Sequence, residues 1–128
     1  MISDNQGFTL IEFLIATVVL MIGLLGMLQG INVAMDKNVQ NMLRSEAMTV
    51  ADERMMLKRG KAFDAISTNT SYSYLQRYSR GVFKNYSVQE IGSLATSSSK
   101  EIRITVAWKY RKLRYTHVVS SFVTNSPL

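Results

Sequence analysis

Residues 13–28 read FLIATVVLMIGLLGML, sixteen positions without a charge, and the run extends over residues 8–31 with Glu12 as its single ionisable side chain. A membrane-spanning helix needs about 20 such residues. No basic segment opens the run and no small-residue cleavage site closes it, so the pattern predicts a retained hydrophobic helix rather than a removed secretory signal. Beyond it, Met35, Val39, Met42, Leu43, Ala47, Val50, Ala51 and Met55 recur at steps of three and four, which is a helical stripe. Asp36, Lys37, Gln40, Arg44, Asp52 and Arg54 lie between them and give this part a polar face. Proline is absent throughout residues 8–59, and Gly60 follows Lys58 and Arg59 as a stop signal. One helix over residues 8–59, at about 1.5 Å per residue, is about 78 Å long against about 30 Å of hydrocarbon. Half of it therefore needs another partner.

The period then changes. Residues 61–81, rich in Ser, Thr, Asn and Tyr, predict a surface connection with a short helical turn. Residues 82–91 predict a strand and residues 92–99 a polar loop. Residues 101–110 alternate, with Ile102, Ile104, Val106, Trp108 and Tyr110 on one face and Arg103, Thr105 and Lys109 on the other. Residues 113–124 predict a third strand, joined to the second by a hairpin at Arg111 and Lys112 that lacks the usual Asn-Gly. Both the strands and the helical stripe have an apolar face to bury. The expected fold is α+β: a long N-terminal helix, hydrophobic in its first half, with a small antiparallel sheet packed on its second half.

Composition adds constraints. A chain of 128 residues has room for one modest core. Cysteine is absent, which excludes disulfides and thiolate metal sites. The net charge of +6 is unevenly placed: residues 8–60 hold five acids and five bases, whereas residues 61–128 hold ten bases and three acids. The basic character belongs to the C-terminal half.

Glu12 is the anomaly of the apolar run. An unpaired carboxylate near the centre of a membrane helix costs about 2.5 to 3.5 kcal/mol, and less near an end. It is either hydrated at the interface or paired with a cation from another chain. GFTLIE at residues 7–12, followed by an unbroken apolar helix and a β-rich remainder, resembles the class III signal of type IV prepilins and of type II secretion pseudopilins. IEFLIATVVLMIGLLGMLQG is similar to minor pilins of the PilV type and to minor pseudopilins. The resemblance is specific over residues 7 to about 30.

The resemblance implies cleavage by a prepilin peptidase between Gly7 and Phe8, with N-methylation of Phe8. It implies that Glu12 meets the N-terminal amine of a neighbouring subunit during assembly, a pairing that neutralises both charges in a dry setting. The implied organisation is a leader at residues 1–7, a transmembrane and fibre-core helix at 8–31, its amphipathic continuation at 32–60 and a globular head at 61–128. The charges flanking the helix are nearly balanced, so an inner-membrane precursor with a periplasmic head, later a surface pilus, is likewise an implication. Three features depart from the family pattern. The leader MISDNQG has no lysine or arginine, the helix lacks the proline of many major pilins, and the cysteine pair of many major pilins is missing. The missing cysteine pair weakens a major-pilin assignment, and the similarity of residues 11–30 implies a minor pilin that primes or decorates a fibre. The alternatives are a minor pseudopilin and a pilus-tip module that binds DNA or another anion.

Other constellations carry less. Gly23, Gly26 and Gly30 suit either close helix packing or simple tolerance of glycine. Met42, Met48, Met55 and Met56 read as gap-fillers against the sheet and Trp108 as core; Thr9 reads either as a hydroxyl near the Glu12 pair or, the preferred reading, as a neutral helix residue. Lys109, Arg111, Lys112 and Arg114, with Tyr110 and Tyr115 interleaved, form the one patch suited to an anionic partner such as nucleic acid. The plainer reading, solvated charge at a hairpin end, is preferred. His117 alone makes no metal site. No phosphate loop or hydrolase motif occurs, so neither a catalytic role nor a cofactor is expected.

Overall fold

A computed structural model describes residues 7–79 and 81–125. In chain order these form α1 (Leu10–Arg59), a 3-10 turn (Phe63–Ala65), β1 (Thr70–Ser79), β2 (Val82–Thr96), β3 (Ser99–Tyr110) and β4 (Leu113–Thr124). The chain divides into two compact units between Val39 and Gln40. The expected leader, apart from Gly7, lies outside the described residues.

In the first unit, α1 carries its apolar residues on all sides. Between residues 8 and 35 every large apolar side chain is at least half exposed, from 53% at Leu24 to 81% at Phe8. Such a surface is untenable in water and suits lipid or neighbouring helices. Thr17, a hydroxyl within this run, donates to the carbonyls of Phe13 (2.9 Å) and Leu14 (2.8 Å), so its polar group is satisfied inside the helix. A Cβ added at Gly23, Gly26 or Gly30 would meet nothing within 4 Å, so no contact in this chain requires glycine there.

In the second unit, the helix buries Leu43, Ala47, Val50, Ala51 and Met55 against the sheet. The buried part of the stripe starts at Leu43; Met35 is exposed, as are Met48 and Met56, so only Met55 of the four methionines fills the core fully. The helix ends as Gly60 N–H donates to Met56 C=O (3.0 Å) and Lys61 N–H to Lys58 C=O (3.3 Å), with Lys58 and Arg59 in the last turn complementing the dipole.

The sheet is antiparallel throughout, in the order β1-β2-β3-β4. Its inner face supplies Tyr86 and Val88 from β2 and Ile102, Ile104, Val106 and Trp108 from β3, with Ile66 of the connector closing one end. Trp108 lies 5.9 Å from the Tyr115 ring and 6.2 Å from that of Tyr86. The α+β architecture is the expected one, with four strands rather than three. Half of the expected connection at residues 61–81 is strand β1, and most of the expected loop at 92–99 is strand as well, β2 continuing as far as Thr96 and β3 starting at Ser99. Gly92 shows why a glycine sits in a buried strand: an added Cβ would lie 1.9 Å from Ser67 C=O, because the connector crosses β2 at that point. The β3–β4 hairpin is the expected two-residue turn. Arg111 (φ 47°) and Lys112 (φ 66°) both adopt the left-handed conformation that this connection demands.

Three polar clusters join connector, helix and sheet. Glu90, only 8% exposed, takes Lys58 at 2.9 Å, Arg54 at 3.8 Å and the Ser71 hydroxyl at 3.4 Å. Arg77 reaches Glu53, and Glu46 at 3.9 Å. Lys100 donates to the carbonyls of Phe63 (2.7 Å) and Ile66 (3.0 Å) and lies over the Phe63 ring. Each replaces water lost on burial with charged hydrogen bonds.

Candidate functional site

The start of α1 is built around Thr9 and Glu12. Thr9 precedes the first helical residue, and Phe13 N–H closes the first turn on its carbonyl at 3.2 Å. Glu12 lies three residues further on, the T-x-x-E spacing of a capping box. The Glu12 carboxylate accepts from Thr9 N–H (2.9 Å) and from the Thr9 hydroxyl (2.9 Å), while Glu12 N–H donates back to that hydroxyl at 3.4 Å. Otherwise unpartnered helix donors are thereby satisfied, and the anion lies at the positive end of the helix dipole.

Glu12 is thus anchored within its own chain, which eases the cost of a carboxylate at the edge of an apolar layer. Both bonds fall on Oε2; Oε1 accepts none among the described residues. Thr9 is therefore an N-cap rather than the neutral helix residue expected. The sequence signal for this cap is Thr-x-x-Glu before an apolar run. Gly7 and Phe8 precede the helix in backbone without regular structure, and both are exposed.

The expected basic patch is divided. Lys109 and Arg114 face each other across β3 and β4, on the sheet face turned away from the helix. Arg111 and Lys112 occupy the turn. Tyr110 and Tyr115 belong to the opposite face, where with Trp108 they border a small cavity of about 110 Å³ beside Gln40, Asn41 and Arg44. Arg111 stacks over the Tyr110 ring at 5.7 Å. The tyrosines adjacent in sequence thus cannot serve Lys109 and Arg114, since neighbours along a strand point to opposite faces. His117 pairs with Val106 in the sheet. Among the described residues no group of three His, Asp or Glu side chains could hold a metal ion.

Comparison with known proteins adds one finding. Residues 2–28 match the family model described as the prokaryotic N-terminal methylation motif. No curated protein and no solved structure matches the chain. The motif is the class III signal of type IV pilin-like proteins, a family of structural subunits. It supports a pilin-like role in pilus or pseudopilus assembly alongside other pilin subunits, and with the uncovered apolar helix it fits a membrane-anchored precursor. The match ends at residue 28, so the sheet and the helix residues packed on it lie outside it.

Proposed function

We propose that the chain is a minor pilin-like structural subunit that assembles into a type IV pilus. A prepilin peptidase cuts between Gly7 and Phe8, Phe8 is N-methylated, and the helix then leaves the inner membrane to pack in a fibre whose heads are periplasmic before assembly. The observation that carries this reading is the methylation motif on a helix whose whole apolar circumference is uncovered, with Glu12 in its first turn. The same surface suits lipid before assembly and neighbouring helices after it. Glu12 Oε1 is available to a neighbour's N-terminal amine while Oε2 keeps the cap. The minor role rests on the similarity of residues 11–30 to minor pilins and on the absence of the cysteine pair of many major pilins.

The cap supplies a sharper test than removal of the side chain. Glu12→Ala loses both cap and charge, whereas Glu12→Gln keeps an acceptor for Thr9 and loses only the charge. Both variants are expected to be cleaved and membrane-bound, and both to be depleted from sheared filaments. Normal incorporation of Glu12→Gln would show that the cap alone matters and would refute the pairing role.

A further inference from the structure

Five aromatic rings stand on the sheet face away from the helix: Tyr72, Tyr74 and Tyr78 from β1, Phe83 from β2 and Phe122 from β4. Tyr74 is 82% and Phe83 62% exposed. In the middle of this face the register aligns Tyr74 with Ser87 and Ser87 with Ala107. The two small side chains leave a depression of about 610 Å³, with Tyr74 and Phe83 on one side and Lys109 and Arg114 on the other. A second hollow of about 170 Å³ shares Tyr74, Ser87, Ala107 and Arg114 and reaches Tyr72, whose hydroxyl is held by Gln89 Nε2 at 3.0 Å. The groove thus has an aromatic wall, a flat floor of small residues and a cationic wall.

We propose that this groove binds single-stranded nucleic acid, with bases on Tyr74 and Phe83 and phosphates on Lys109 and Arg114. Exposed rings beside a positive track are what an unpaired strand needs: every base has a face to stack, and each phosphate released from its counterions adds affinity. A duplex hides those faces. Charge favours the same occupant. Among the described outward-facing side chains of the sheet, Glu101 is the single carboxylate, and Arg103 holds it at 2.9 Å. The proposal does not depend on the fibre role, since it concerns the head alone.

The test uses the full chain in detergent micelles and fluorescence anisotropy of a labelled oligothymidylate, with a duplex of equal length and heparin as competitors. Saturable binding is expected, preferring the single strand. Tyr74→Ala, at an exposed ring that contributes little to the core, should weaken it about fivefold or more. Lys109→Ala with Arg114→Ala should weaken it further and flatten its salt dependence by a slope of about 1.4, two phosphates' worth. Arg111→Asn with Lys112→Asn keeps the turn conformation, removes two nearby charges and should change affinity less than about twofold. Circular dichroism confirms that each variant is folded. The proposal is overturned by absence of saturable binding, by duplex or heparin binding as tightly as the single strand, by full affinity in Tyr74→Ala, or by a groove that only self-associates in light scattering.

Discussion

Residues 10–39 and 40–59 belong to one helix and obey opposite rules. In the first stretch apolar side chains cover every side and none of the large ones is buried; the carboxylate of its first turn, Glu12, is tied to its own N-cap. In the second, a narrow apolar stripe is buried, and the flanking charges reach inward to Arg77 and Glu90 of the sheet. Helical geometry is common to both, so it explains neither. What differs is the intended surroundings: the first stretch is made for an apolar medium or like helices, the second for a partner encoded in the same chain.

The comparison is most strongly challenged by placing acids in the first stretch. Leu20→Asp with Leu24→Asp should cost about 5 to 7 kcal/mol of membrane insertion at about 2.5 to 3.5 kcal/mol each. Carbonate extraction should then release the chain, while the thermal unfolding of the sheet-bearing unit is unchanged. The reciprocal change is Glu90→Ala, which strands Lys58 and Arg54 at the helix–sheet boundary. It should cost about 3 kcal/mol, the low end for breaking a buried pair because both cations are partly solvated, and lower Tm by about 10 °C or more. Membrane attachment should persist.

A smaller effect is expected at Tyr86, whose hydroxyl donates to Leu43 C=O at 3.3 Å. Burial pushes its phenol from an ordinary 10 up to about 12, with the Glu46 carboxylate adding to the shift. The folded state therefore holds this proton more tightly than the unfolded chain, so the associated stability is complete below pH 10 and is lost as pH rises to about 12. Denaturant unfolding should show that fall. Tyr86→Phe should be about 1 kcal/mol less stable at neutral pH but decline less steeply in the alkaline window. Smallest is the hairpin: Arg111→Asn with Lys112→Gly relieves two left-handed residues that lack a glycine and should raise stability by about 1 kcal/mol, read from the same titration.

Long periodic features were legible and inverted ones were not. The helix was expected over residues 8–59 and spans Leu10–Arg59; the turn at Arg111 and Lys112 was placed correctly despite its residues, because the alternation on either side left no other two positions. β1 escaped because its sequence TSYSYLQRYS runs against the usual pattern, with the large rings of Tyr72 and Tyr74 outward and Ser71, Ser73 and Arg77 inward. Without β1 the aromatic wall could not be joined to Lys109 and Arg114, and the adjacent Tyr110 and Tyr115 were credited in its place. Gly92 read as a loop residue because the passage of Ser67 over it is a contact between segments distant in sequence. At Glu12 the partner within the chain, Thr9, lies three residues away, at the Thr-x-x-Glu spacing of a capping box.

The most direct test of the account is the mass of the N-terminal peptide of this chain recovered from sheared filaments. The account predicts a chain beginning at Phe8 and carrying one methyl group on its amine. A chain in functioning filaments that still begins at Met1 would contradict it.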